Sequence, residues 1–194
     1  MADFLDASLR DFLDTLSAEG PAPGGGTAAA ITVAMAAGIV AMVARASKEH
    51  WPEAGGTAGQ AEALRARVAP LAQADAEAYG AALSALRRPD QLEERYRDQQ
   101  LHQALDRAAQ VPLEIAEAGT DVAILAAILA EQGNPEVRAD ASAAAVLAEG
   151  ATRVAAKLVA VNLAAAGGDE RVSRAEQLVR DAVEAASRAL AAAE

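Results

Sequence analysis

Apolar residues recur along most of this chain at intervals of three and four, the spacing that places them on one face of a helix. Leu5, Leu9, Phe12, Leu13 and Leu16 follow it with aspartates on the other side, which predicts a first amphipathic helix stopped by Gly20 and Pro21. From about Thr27 to Ser47 the sequence is apolar nearly all round, so a second helix here must be covered by neighbours on most sides. Thr27 is its expected N-cap. "PEAGGTAG" at 52–59 reads as a turn-rich break, and a third helix should fill about 60–87, ending before Arg88-Pro89-Asp90. A fourth starts near Asp90 and reaches Pro112, where the missing N–H should kink or break it; the helical pattern beyond can divide again at Gly119. Gly133-Asn134-Pro135 reads as a helix stop, a cap and a first helical residue. Helix-forming sequence then runs to about Ala166, and a last helix covers 170–192. No strand-like alternation appears. The expectation is an all-α single domain over residues 1–194, a bundle of about seven helices with short connections.

Composition changes the picture of the core. The chain is 53% hydrophobic but only 3% aromatic, and alanine dominates. Alanine favours helix and carries little volume, so cohesion must come from many close helix–helix contacts. The net charge of −11 argues against non-specific nucleic-acid binding and against an anionic membrane surface, both of which call for basic residues. The absence of cysteine excludes disulfides, thiolate metal sites and cysteine nucleophiles, and suits a cytoplasmic setting. The acidic N-terminus lacks the basic start of a secretory signal. Residues 28–44 reach the lower length of a membrane span, roughly 17 residues, but are mostly Ala and Gly; a buried helix is the better reading.

The most unusual stretch is "PAPGGGT" at 21–27, ahead of the apolar helix. Glycines leave peptide N–H groups uncovered, and a helix start adds the positive end of its dipole, so the loop can receive an anion or a polar ring edge. It can equally be a turn that lets two helices cross closely. No Gly-Lys-Ser/Thr follows and no strand precedes it, which excludes the P-loop and dinucleotide fingerprints.

"PAPGGGTAAA" leading into "AMVARAS" resembles the start of the cyclodeaminase/cyclohydrolase family of folate enzymes. Further elements match in order along the chain: Ala46-Ser47-Lys48, Asp75-Ala76-Glu77-Ala78-Tyr79, Val111-Pro112-Leu113, Gly133-Asn134 followed by Ala139-Asp140-Ala141, and Asn162-Leu163. The family's glycine before the lysine is Ser47 here, and its serine before the aspartate is Ala139. Within these 194 residues no formiminotransferase half accompanies the match.

The resemblance implies a formiminotetrahydrofolate cyclodeaminase or a methenyltetrahydrofolate cyclohydrolase, in which the folate is substrate and no metal or redox cofactor takes part. Either reaction needs a proton carrier and stabilisation of a tetrahedral carbon. The candidates for acid/base work are Asp140, Lys48 and Asp75, with Pro23, Gly24, Gly25, Gly26, Asn134 and Arg138 as substrate-binding residues. Among small apolar neighbours, Asp140 is either a cap or a buried functional group. Asp75 reads equally as a surface carboxylate, Asn134 as a cap, and Lys48 as a cation complementing a helix end. Asn162 in its apolar run is by default structural, and His50-Trp51 can stack on a ring or cover a helix end. A helix of some 20 residues is about 30 Å long, so Gly24–Gly26 and Lys48 cannot share one subunit's pocket; a ligand touching both implies a homodimer. The competing class, motivated by Ser47 and Ala139, is a non-catalytic helical dimer that binds a folate-like ligand or serves as a structural module.

Overall fold

The computed structural model describes residues 3–20, 23–87, 94–164 and 168–193, with only the backbone described for 94–98. Its elements are α1 (Leu9–Ser17), α2 (Gly25–Ala46), α3 (Ala54–Val68), α4 (Leu71–Leu86), α5 (Glu94–Gln132), a single 3-10 turn (Pro135–Val137), α6 (Arg138–Asn162) and α7 (Glu170–Ala192). Among the described residues there is no strand, and the all-α bundle of about seven helices stands.

α2 lies where its composition requires, in contact with α3, α4, α5 and α6. Ala30, Val33, Ala36, Ala37, Val40, Ala41, Val43 and Ala44 are wholly enclosed. Among the described residues α2 is also the one helix long and apolar enough to cross a membrane, and its neighbours account for that apolarity as core. α5, 39 residues and about 58 Å at 1.5 Å per residue, is the spine that touches every helix from α2 to α7. α7 closes the bundle over α5 and α6: the Thr120 hydroxyl donates to the Leu178 carbonyl at 3.1 Å and the Ser142 hydroxyl to the Ala189 carbonyl at 2.7 Å. On the rim, Arg188 forks onto Glu131.

Several boundaries differ from expectation, each for a local reason. α2 begins at Gly25 with Gly24 as N-cap; Thr27 is not the cap, because its hydroxyl is turned to the Ala72 carbonyl and the Asp75 carboxylate on α4. "AGGTAG" is helical, with Ala54, Thr57 and Ala58 buried and its glycines facing open space. The expected helix over 60–87 is two helices, since Pro70 ends α3 and caps α4. At α6 the helix stops at Asn162 rather than near Ala166. In α1 only Phe12 is buried, edge-to-face with Phe4 at 5.8 Å, while Leu5, Leu9 and Leu13 of the expected apolar stripe are exposed. Asp90 and Pro21 lie outside the described residues.

α5 continues unbroken through Pro112 and Gly119. At Gly119 it crosses α6 so closely that a Cβ would run into the Thr152 hydroxyl and come within 3.3 Å of the Ala148 carbonyl oxygen and of Val33 Cγ2. Glycine in a helix interior costs about 1 kcal/mol relative to alanine. The close approach explains its presence. Gly119→Leu should therefore destabilise the protein by about 1–3 kcal/mol, the range for overpacking a tight core, as read in urea unfolding.

Candidate active site

Gly24 opens α2 without a side-chain cap, so the first N–H groups of the helix look for partners elsewhere. The Thr27 hydroxyl donates to the Asp75 carboxylate, 3.2 Å from Oδ2, and the Thr27 N–H faces the same carboxylate. Asp75 reaches that position because α4 packs across the start of α2 and residue 26 has no side chain. A Cβ on Gly26 would lie 2.5 Å from Asp75 Cγ. Gly26 is thus the residue that lets a carboxylate rest directly on the helix terminus.

Around this contact is a cavity of about 330 Å³ lined by Gly24, Gly25 and Gly26 of the α2 start, Asp75 and Tyr79 one turn apart on α4, and Ala108 of α5. Leu158, Val161 and Asn162 at the end of α6 complete it. That volume suits one fused ring system and lies at the low end for small-molecule sites, roughly 300–1,000 Å³. Burial raises the Asp75 pKa above the usual carboxylate value, while the Thr27 hydroxyl and N–H oppose the rise. A half-buried carboxyl with a raised pKa, beside uncovered backbone donors, is suited to take up and return a proton.

The expected site residues fall into two groups. Gly24, Gly25, Gly26 and Asp75 meet at the cavity, with Pro23 buried just before them. Lys48, Asn134, Arg138 and Asp140 gather at the other end of α2, because α6 runs antiparallel to it. The Asn134 N–H donates to the Ser47 hydroxyl at 2.9 Å, and its side chain reaches the Ala46 carbonyl at 3.3 Å. Asn134 is a cap as well, its Oδ1 accepting from the Glu136 N–H at 3.0 Å. Lys48 is exposed beyond the α2 terminus, and Asp140 is exposed in the first turn of α6, where Val137 holds the cap position. Asp140 is therefore neither the cap nor buried within this chain. Arg138 is half-buried, and its Nε has no acceptor. His50 is exposed, while Trp51 packs against the core. Asn162 and Tyr79 are the cavity residues that sequence reasoning left without a site role. An amide in an apolar run, and a tyrosine one helical turn after Asp75, were the available signals. Among the described residues no three His, Asp or Glu side chains converge on a point suited to a metal ion.

The fold is an all-α bundle with a cavity at the start of α2, where a half-buried carboxyl meets the helix terminus. Comparison with known proteins narrows the class: the chain belongs to the formiminotransferase-cyclodeaminase family, whose model matches residues 8–181. It is 36% identical over 179 residues to the methenyltetrahydrofolate cyclohydrolase of Methylorubrum extorquens, covering 88% of this chain and 85% of that one. It is 33% identical over 150 residues to the formimidoyltransferase-cyclodeaminase of Rattus norvegicus, covering 73% of this chain and 28% of that longer protein. In fold it is similar to the crystal structure of a formiminotetrahydrofolate cyclodeaminase from Thermotoga maritima, with a TM-score of 0.83, 24% identity and coverage of 97% and 96% of the two chains.

Stability should report the state of Asp75. Its proton is held more tightly in the folded than in the unfolded chain, so its contribution is complete below the ordinary carboxylate value of 3.8 and is lost as pH rises through the raised value. Asp75→Asn, which keeps an acceptor for Thr27, should resist urea better than wild type at pH 7, and the difference should vanish near pH 3.5.

Proposed function

We propose that this chain is a folate one-carbon enzyme, a methenyltetrahydrofolate cyclohydrolase or formiminotetrahydrofolate cyclodeaminase, with Asp75 as the proton carrier in the cavity. The observation that carries the reading is the Asp75 carboxyl, raised by burial and seated on the uncovered start of α2. In cyclohydrolysis Asp75 takes a proton as water adds to the methenyl carbon and returns it to the departing nitrogen as one C–N bond breaks, the hydroxyl proton passing to solvent as the formyl carbonyl forms. In cyclodeamination N10 attacks the formimino carbon, and the proton returns to the leaving nitrogen as ammonia departs. The N–H groups of the α2 start are placed to receive developing negative charge or a ring carbonyl. Neither reaction changes the oxidation state of the carbon, so the proposed mechanism requires no redox cofactor, and it uses no metal. The names of the relatives favour this reading over a non-catalytic module. A cytoplasmic setting fits such a substrate.

A cavity of about 330 Å³ takes the ring system and leaves the rest of a folate outside it. The second group, Lys48, Asn134, Arg138 and Asp140, is too far along α2 to reach the same ring, the helix being about 33 Å long. We infer a homodimer in which each site combines the cavity of one subunit with that group from the other. The surface that supports it is the exposed apolar face of the packed pair α2 and α6: Met35, Met42, Val146, Leu147, Val154 and Val161.

Two measurements test this. Asp75→Asn should lower turnover of methenyltetrahydrofolate or formiminotetrahydrofolate by about 10²–10⁴-fold, the usual contribution of a general acid/base, while the protein stays folded. Asp75→Asn and Asp140→Asn proteins, each inactive alone, should on refolding together recover about a quarter of wild-type activity, because half the two-fold dimers then hold one intact site of two. Full inactivity of the mixture would exclude the shared site.

A further inference from the structure

Pro112 is fully enclosed inside α5 and has no N–H, so the Ala108 carbonyl one turn earlier has no donor within its own helix. Asn162, at the end of α6, supplies one: its Nδ2 donates to that carbonyl oxygen at 2.6 Å. A carbonyl only accepts, so the amide is obliged to present its NH2 to Ala108 and turn its Oδ1 the other way. Among the described residues nothing donates to that oxygen. Ala108 and Asn162 both line the cavity that holds Asp75 and the α2 start. The cavity thus has backbone donors on the α2 wall, a proton carrier on α4 and an oriented acceptor on α6.

We propose that Asn162 is a substrate-contact residue and Pro112 its positioning residue: the carbonyl that Pro112 frees aims the Asn162 oxygen at an N–H of a heterocyclic ring in the cavity. This rests on the folate reading and sharpens it, since an amino-pyrimidinone ring edge carries the N–H groups such an acceptor takes. The residue that would otherwise break α5 is kept because the broken hydrogen bond orients a side chain across the helix interface. If Asn162 served only to satisfy the carbonyl, its loss would lower stability and leave substrate affinity alone.

The test uses Asn162→Ala, Pro112→Ala and the double variant, with KM, kcat and thermal stability measured for each. Asn162→Ala should raise KM about tenfold or more with kcat within about threefold of wild type, the pattern of a lost binding contact. Pro112→Ala returns a main-chain N–H to the Ala108 carbonyl. It should melt at or above the wild-type temperature and still raise KM several-fold, an outcome that a structural role cannot produce. Because the two residues act as one device, the double variant should be no worse than Asn162→Ala alone. Wild-type KM in Pro112→Ala, or additive effects in the double variant, overturns the inference and leaves the folate reading in place. A wild-type protein that turns over neither folate overturns the folate reading instead. The Asn162 side-chain amide resonance in NMR then decides the device by itself: a shift on Pro112→Ala supports it, and an unchanged resonance refutes it.

Discussion

The fold depends on helices that approach one another more closely than large side chains would allow. Alanine fills most of the buried positions of α2, α5 and α6, and two of the largest wholly enclosed side chains are Ile115 and Leu129. With so little volume per residue, apolar burial accumulates only if each helix touches several others, which is why α2 is enclosed by four neighbours and α5 by five. The same demand explains Gly119, where even one methyl group would press on α6. Polar side chains in this core are short, and they bond either to their own helix or to the backbone of the next one. Thr120 to Leu178 and Ser142 to Ala189 tie α7 down in this way.

The site is that packing rule carried to a helix end. At Gly26 the close approach is by a carboxylate rather than a methyl group, so Asp75 meets the α2 start without an intervening side chain. Two opposed effects then set its chemistry. Burial disfavours the charged form, while the Thr27 hydroxyl and N–H favour it. Neither removes the proton's freedom to leave, because one side of the carboxyl faces the cavity. A larger residue at 26 would separate the acid from the donors that hold it, so the glycines and the acid are one unit.

Much of this was legible in the sequence. The helical period, the apolar girth of α2 and the capping signal at Asn134 correspond to real elements, because each depends on residues within a few positions of one another. What failed locally depended on distant partners. Pro70 and Pro112 look alike in the chain, yet one ends a helix and the other is carried through it, and the difference is an amide 50 residues away on α6. Thr27 has the form of an N-cap but bonds to α4. Motif matching gathered Asp75, Asp140 and Lys48 as one set; only three-dimensional placement separates them into the two ends of α2. Asn162 carried a signal, a lone amide among apolar residues, whose meaning required knowing that it faces Ala108.

The length of α2 ties the two groups of residues together again in the proposed dimer. A two-fold axis that crosses a helix at its midpoint exchanges its ends, so the partner's α2 runs in the opposite direction. The midpoint of Gly25–Ala46 falls beside Met35, which is 52% exposed, and that of α6 falls at Gly150, where nothing within 4 Å would meet an added Cβ. An axis there lays the Lys48 and Asp140 end of one subunit against the Asp75 end of the other, twice, through a single apolar interface. The distance that prevents one subunit from assembling both groups is the distance that lets two subunits do so symmetrically. In the proposed dimer an acidic chain with two lysines need not place a positive charge beside its own cavity, because its copy would bring Lys48 to that place.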